Sequence, residues 1–256
     1  NTETLLALKA EMPIQRMEST ALSIYKKPVQ KHNYVMTVDV SKGRGQDYST
    51  FTLIDISTRP FEQVAVYRNN TISPLLFPNI IYKYAKLYNS AYTIVESNDQ
   101  GTVVCNGLYY DLEYENVHVS SSIKANSIGV EITRKTKRLG CSAIKDLLES
   151  NKIKIVDETT IMEISTFESR GLSYEASDGN HDDLMMNLVM FGYFVSTQYF
   201  GDLTDIDIKK MLFEKKIKEI EDDLPPFGHI DDGSAHIEKL EEVEENPWMI
   251  EYTNPS

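Results

Sequence analysis

Four acidic residues stand next to strongly apolar segments of the sequence. Asp39 follows VMTV, Glu96 follows YTIV, and Asp182 and Asp183 precede LMMNLVMF. Charged groups beside buried segments are costly unless they are paired or bind a metal. Hard divalent cations such as Mg²⁺ or Mn²⁺ take oxygen ligands and relieve the repulsion within a group of carboxylates. Two such ions held ~3.5–4 Å apart can clamp the attacking and leaving oxygens of a phosphodiester.

Each of these residues also has a structural interpretation. Asp39 could cap the glycine-containing turn that follows it, and Glu96 could be a solvated carboxylate at a strand end. Asp182 or Asp183 could cap a helix, where aspartate is favoured by hydrogen bonding and by the helix dipole. Two adjacent aspartates allow one to cap while the other binds a cation. His181 could support a ligand or orient a water, or it could be a structural histidine at a helix start.

The surrounding pattern predicts the elements that would bring these acids together. Three alternating segments joined by short turns, 34–40, 50–56 and 62–68, predict an antiparallel meander. Helices and short apolar strands then alternate: helix 75–88, strand 91–97, helix 101–114, strand 116–121, helix 141–150, strand 152–157 and interior helix 182–200. Strands that alternate with helices are expected to be parallel. A mixed α/β sheet of this order, flanked by helices, is typical of a ribonuclease-H-like (RNase H-like) fold, in which these acids meet at one sheet edge.

Three segments also carry a family resemblance: VDVSKGRGQDYST, IVESNDQG and GNHDDLMMNLV. Together they resemble the C-terminal nuclease domain of the large terminases of tailed phages, particularly T-even-like myoviruses. The resemblance spans residues 34–200 and implies a DNA endonuclease that uses Mg²⁺ or Mn²⁺, with two ions expected, to cut the concatemeric viral genome. It implies that Asp39 and Glu96 are the first two catalytic acids and that Asp182 or Asp183 is the third. Asp47 is a candidate accessory ligand.

The resemblance also implies partners and a location. They are double-stranded DNA, an upstream ATPase domain, the portal or procapsid and the small terminase subunit, in the host bacterial cytoplasm. The chain has no GxxxxGK[ST] motif, so we expect the ATPase to lie outside it. We divide the chain into a lead-in over 1–33, which packs on the body or links it to that ATPase, a nuclease domain over 34–200, and an acidic, helical or partly disordered extension over 201–256.

The charge distribution determines where nucleic acid could bind. The 256 residues carry a formal net charge of −13, which argues against a nucleic-acid surface over the whole chain. Residues 201–256 hold 16 acidic and 6 basic side chains, a net charge of −10, which leaves −3 for residues 1–200. The body is therefore nearly neutral. Two cysteines without CxxC spacing argue against a disulfide framework or structural zinc and favour a reducing compartment.

Four basic residues fall within positions 134–138 and are predicted to form a loop just before a helix. We predict a DNA-phosphate surface made by Arg134, Lys135, Lys137 and Arg138, with a smaller contribution from Lys42 and Arg44. A solvated charged face is the alternative. No base-reading motif is present, so we expect little sequence preference. Two other functions remain open: another RNase H-like nuclease, such as a junction resolvase or ribonuclease H, or a catalytically silent domain that docks on portal or partner subunits.

Overall fold

A computed structural model describes residues 2–17, 21–45, 47–121, 126–170, 173–197 and 200–201. The chain divides into two units, Asn1–Asp205 and Ile206–Ser256. The acidic extension predicted for 201–256 lies, apart from Gly201, outside the described residues. None of the described helices is both long and apolar enough to cross a membrane. Cys105 and Cys141 are buried free thiols, so neither takes part in a disulfide.

The centre of the first unit is a mixed β-sheet. Its strands follow the order β1-β2-β5-β4-β3-β6, with β9 beside β5. The pairs β3–β6 and β5–β9 are parallel, whereas the other pairs are antiparallel. The strands are β1 (Gln15–Met17), β2 (Leu22–Ile24), β3 (Tyr34–Asp39), β4 (Ser49–Asp55), β5 (Phe61–Asn69), β6 (Tyr92–Val95) and β9 (Ile153–Lys154).

Helices cover both faces of this sheet. The helices are α1 (Thr2–Ala7), α2 (Phe77–Leu87), α3 (Gly101–Asn106), α4 (Arg134–Glu149), α5 (Glu158–Thr166) and α6 (Asp183–Val195). A π-helical turn, Gly107–Asp111, continues α3. Two small antiparallel hairpins complete the fold: β7 (Val119–Ser121) with β8 (Asn126–Ile128), and β10 (Phe167–Arg170) with β11 (Ser173–Ala176).

The alternation of side chains along the strands separates two apolar cores. In β3, Met36 and Val38 face the core that contains α2 and α3, whereas Val35 faces the core that contains α4 and α6. Asp39, an even number of residues from Val35, therefore shares the α6 face. Helix α6 is buried on nearly every side, as its sequence predicts. The fold thus places α6 directly above the end of β3.

Two features of the sheet agree with the sequence analysis. The meander β3–β4–β5 is antiparallel, and β6 returns parallel to β3. Two predictions about the sheet need correction.

The first concerns the lead-in. It contributes β1 and β2, so the sheet begins at Gln15 rather than Tyr34.

The strand predicted over 116–121 is also placed differently. Its first part forms a single β-bridge with β6, between Val117 and Thr93. Its last residues form β7, which pairs with β8 in a separate hairpin.

Candidate active site

Asp39 and Glu96 lie side by side at the carboxyl end of two parallel strands. Asp39 is the last residue of β3, and Glu96 directly follows β6. The strands pair in register up to Val38 and Val95, and the backbone N–H of Glu96 donates to the Val38 carbonyl at 3.0 Å. Parallel strands end at the same edge of a sheet, so the two side chains meet there, close enough for Glu96 to raise the pKa of Asp39.

Helix α6 brings Asp183 over the same edge. Asp183 is the first residue of α6 and is only 8% exposed. Its Oδ1 accepts a hydrogen bond from the backbone N–H of Tyr48 at 3.3 Å. Its carbonyl accepts from the Thr50 hydroxyl at 3.2 Å, and Thr50 is the ladder partner of Asp39. Hydrogen bonds from β4 and the loop before it therefore fix Asp183 above the sheet.

Asp182 occupies a different environment from its neighbour. Its side chain is 32% exposed, and its Oδ2 lies 3.8 Å from the Lys137 ammonium. It precedes α6 but makes no capping hydrogen bond. The structure therefore brings Asp39, Glu96 and Asp183 together and leaves Asp182 at their margin, facing a cation of α4.

The surroundings of this cluster disfavour ionisation of Asp39 and Asp183. Burial, the hydrogen bond with Glu96 and the charges of Glu96, Asp183 and Asp182 raise the pKa of Asp39 well above its usual range. Burial also raises the pKa of Asp183 to about 6, against the opposing effects of the Tyr48 N–H and of two nearby basic side chains. Burial disfavours the charged form and is the main cause of both shifts, and repulsion by neighbouring carboxylates adds to it.

Hard cations fit this donor set. The Oδ2 atom of Asp183 is buried and has no hydrogen-bond partner. The Nδ1 atom of His181 lies 3.6 Å from it. Carboxylate oxygens are the ligands that Mg²⁺, Mn²⁺ and Ca²⁺ prefer. Within the described ranges, however, no three His, Cys, Asp or Glu side chains are already arranged to hold an ion.

The loop between β3 and β4 carries the weaker candidates. Lys42, Arg44 and Asp47 are all exposed. Gly43 has a φ of +66°, and a Cβ there would lie 2.3 Å from the Ile72 carbonyl oxygen. Close packing against a neighbouring loop therefore requires this glycine. Gly45, with a φ of +85°, has open space around it.

The basic run is helical, so the prediction of a loop at 134–138 was wrong. Thr133 caps α4, and its side chain and that of Thr136 each bond the backbone N–H of the other residue. This capping box starts the helix at Arg134. Arg134, Lys135 and Arg138 are exposed, whereas Lys137 is mostly covered. Cations in a first helical turn oppose the helix dipole, so helix stability does not explain their presence.

Sequence reasoning missed two residues near Asp183, namely Glu163 and Arg68. Glu163 of α5 is buried, and its Oε2 accepts from the backbone N–H groups of Leu184 and Met185 at 2.7 and 3.0 Å. Arg68 of β5 stacks on the Tyr48 ring, 3.3 Å from its centroid. Burial raises the pKa of Glu163 to about 7. The alternation of β5 could have placed Arg68 on the α6 face, but no local signal connects Glu163 with α6.

An antiparallel meander followed by a parallel strand, with helices on both faces and acids at the ends of β3 and β6, defines an RNase H-like fold. The family model for the terminase RNase H-like domain matches residues 36–191, and the chain belongs to this family.

Solved structures agree on the fold. The large terminase nuclease from thermophilic phage G20c with bound magnesium is 20% identical, with a TM-score of 0.60 over 74% of this chain and 94% of that one. The large terminase nuclease domain of Thermus phage P74-26 is also 20% identical, with a TM-score of 0.56 over 73% of this chain and 90% of that one.

Proposed function

We propose that this chain is the metal-dependent DNA endonuclease domain of a phage DNA-packaging terminase. The observation that carries the proposal is the group of carboxylates, Asp39, Glu96 and Asp183, at one edge of an RNase H-like sheet. The G20c nuclease has been solved with magnesium, with cobalt and with zinc, which supports a divalent cation in this chain too. Mg²⁺ or Mn²⁺ is the expected physiological ion.

The proposed ligands are Asp39, Glu96 and Asp183, with two ions expected. Asp183 is favoured over Asp182 as the third ligand because its Oδ2 is buried without a hydrogen-bond partner, whereas Asp182 faces Lys137. When bound, divalent ions lower the pKa of a ligated water and neutralise charge on the phosphodiester oxygens. A bound cation would favour the ionised form of the Asp39 carboxyl, whose pKa is raised without it.

The rest of the site would bind and orient DNA. Arg134, Lys135 and Arg138 project from the first turns of α4, near the contact between Lys137 and Asp182. Exposed cations of this kind hold phosphates without reading base sequence. Little sequence preference is the expected result. Lys42 and Arg44 on the β3–β4 loop, and Asp47 as an accessory ligand, remain predictions of the same kind.

Family membership also supports the biological setting. A terminase nuclease domain would act with an ATPase domain, a portal or procapsid and a small terminase subunit in the infected host cell. The substrate would be the concatemeric viral genome. The activity assigned to this chain itself is limited to phosphodiester hydrolysis.

Asp39→Asn is the direct test. It removes a charge from a repelling cluster, so we expect the fold to survive and plasmid nicking in Mg²⁺ to fall to the level of a protein-free control. Asp146→Asn, an exposed carboxylate of α4, is the matched control and should nick as the wild type does. Calorimetric titration with Mn²⁺ should show binding to the wild type and weaker binding to Asp39→Asn. Unchanged nicking by Asp39→Asn would refute the assignment.

The substrate class needs a separate comparison. Linear duplex, a four-way junction and an RNA–DNA hybrid should be cut in parallel reactions at equal enzyme concentration. A terminase nuclease should prefer the linear duplex. Preference for the junction or the hybrid would indicate a resolvase or a ribonuclease H. Absence of Mn²⁺ binding would favour a docking domain.

A further inference from the structure

The start of α6 is capped by a side chain from another helix. The first N–H groups of any helix lack partners within it, and a residue at the helix start usually supplies them. Asp182 stands at that position but makes no capping hydrogen bond. The Oε2 atom of Glu163 accepts from both Leu184 and Met185 instead. The carboxylates of Asp182 and Asp183 are therefore not needed to accept the N–H groups at the start of α6.

Arg68 provides the counter-charge for Glu163. The second oxygen of Glu163, Oε1, lies 3.7 Å from the Nε of Arg68. The Arg68 guanidinium lies over the ring of Tyr48, whose backbone N–H donates to Asp183. Contacts therefore run from Glu163, which caps α6, through Arg68 to Tyr48, which holds the Asp183 carboxylate.

The strand register places Arg68 and Thr50 beside Asp39. Arg68 pairs with Thr50 in the β4–β5 ladder, and Thr50 pairs with Asp39 in the β3–β4 ladder. The Thr50 hydroxyl donates to the Asp183 carbonyl and accepts from the Asn187 amide at 2.8 Å. The first turn of α6 is thus held from the sheet by Thr50 and from α5 by Glu163.

A cap made only for helix stability would not need this chemistry. A serine or threonine at the helix start supplies the same hydrogen bond without burying a charge. A buried carboxylate beside a group of acids adds desolvation cost and repulsion. Glu163 nevertheless occupies this position at 4% exposure. A buried glutamate at this position is explained if it orients the start of α6 for the function of the site, at a cost in folding stability.

We propose that Glu163, held by Arg68, is a positioning residue that fixes the start of α6 so that the Asp183 carboxylate faces Asp39 and Glu96. This inference rests on the proposed function, because it gives Glu163 its role through the metal-binding carboxylates. Glu163 itself contacts backbone N–H groups of α6 and is not assigned a catalytic step.

The test compares Mn²⁺ affinity, measured calorimetrically, with the free energy of unfolding, measured in urea without metal. Glu163→Ala should weaken Mn²⁺ binding about 10–100-fold, the usual effect of losing a residue that orients a metal ligand. Glu163→Gln keeps an oxygen acceptor and should restore most of the affinity. In nicking assays Glu163→Ala should lower kcat and leave KM for DNA nearly unchanged.

Thr133→Ala is the matched control, because it removes the cap of α4, a helix without a proposed metal ligand. It should lower stability and leave Mn²⁺ affinity as in the wild type. If Glu163→Ala does not fold, Glu163→Asp keeps the charge, withdraws it by one methylene and should bind Mn²⁺ several-fold more weakly. Wild-type affinity in whichever of these two variants folds would overturn the proposal. The proposal would also be overturned if Glu163→Gln lost as much Mn²⁺ affinity as Glu163→Ala.

Failure of the proposed function would look different. In that case the wild-type protein would bind no Mn²⁺, or Asp39→Asn would nick plasmid as well as the wild type does. If the wild type binds Mn²⁺ and Asp39→Asn is inactive, an unaltered affinity in a folded Glu163→Ala or Glu163→Asp variant counts against the positioning role alone.

Discussion

Replacing Asp183 by asparagine separates the electrostatic cost of the candidate active site from its function. Burial raises the pKa of this carboxyl from 3.8 to about 6. Because the folded-state pKa lies above the unfolded-state value, ionisation of this carboxyl destabilises the fold increasingly above pH 3.8 and fully above about pH 6. This destabilisation decreases as the pH falls and the carboxyl becomes protonated in the folded state. Asparagine resembles the protonated form and keeps an oxygen that can accept from the Tyr48 N–H.

The size of the effect follows from the same pKa values. The difference between 3.8 and about 6 corresponds to about 3 kcal/mol, at about 1.36 kcal/mol for each pKa unit. The amide nitrogen would stand in place of Oδ2, which has no hydrogen-bond partner, so part of this gain is lost. We expect Asp183→Asn to be about 1–2 kcal/mol more stable than the wild type at pH 8. At pH 5 the electrostatic gain falls to about 1.6 kcal/mol, while the loss at the amide nitrogen is unchanged, so little or none of the difference should remain.

Urea unfolding followed by circular dichroism, in EDTA at pH 8 and at pH 5, measures this difference. Asp178→Asn is the control, because the Asp178 side chain is 92% exposed and its charge should change stability by less than about 0.5 kcal/mol. Saturating Mn²⁺ should then stabilise the wild type, by about 2.7 kcal/mol at 100 times Kd, and stabilise Asp183→Asn less. The reasoning fails if Asp183→Asn is no more stable than the wild type in EDTA at pH 8, or if its advantage does not shrink at pH 5.

Two further predictions concern α4. Replacing Arg134, Lys135 and Arg138 together by glutamine should weaken DNA binding and flatten the plot of log affinity against log salt by up to about 3, at about 0.9 per phosphate contact. Fluorescence anisotropy over a range of KCl concentrations measures this slope, and an unchanged slope would mean that these side chains are only solvated. Gly140→Ala should destabilise the fold by about 1–3 kcal/mol, because a Cβ there would lie 2.2 Å from the Val189 carbonyl oxygen. An unchanged urea midpoint would contradict this close packing.

The elements that bring Asp39 and Glu96 together were predictable from local patterns. Alternating side chains identify β3, β4 and β5, and short turns between them require antiparallel pairing. The helix after β5 allows β6 to return parallel to β3. Two residues at the ends of neighbouring parallel strands must share an edge, and the structure places Asp39 and Glu96 there.

The surroundings of Asp183 depend on contacts that no local pattern encodes. Glu163 and Leu184 belong to different helices, and their hydrogen bond is visible only after α5 and α6 pack. The strands β1 and β2 have three residues each, too few for a periodic signal. They are defined by pairing, of β2 with β5 and of β1 with β2. The start of α4 was placed too late because Thr136, rather than the usual Glu or Gln, completes its capping box.

The packing of α4 against α6 connects the two halves of the proposed reaction. Gly140 of α4 and Gly192 of α6 lie where the helices cross, so close that a Cβ on either would meet the backbone of the other helix. Lys137 reaches from the first turn of α4 to Asp182 at the start of α6. DNA phosphates held by the exposed cations of α4 would therefore be placed relative to Asp183 by a rigid helix pair. Because catalysis of this kind depends on holding the phosphate and the metal ligands in one geometry, the close helix crossing is as much a part of the site as the carboxylates.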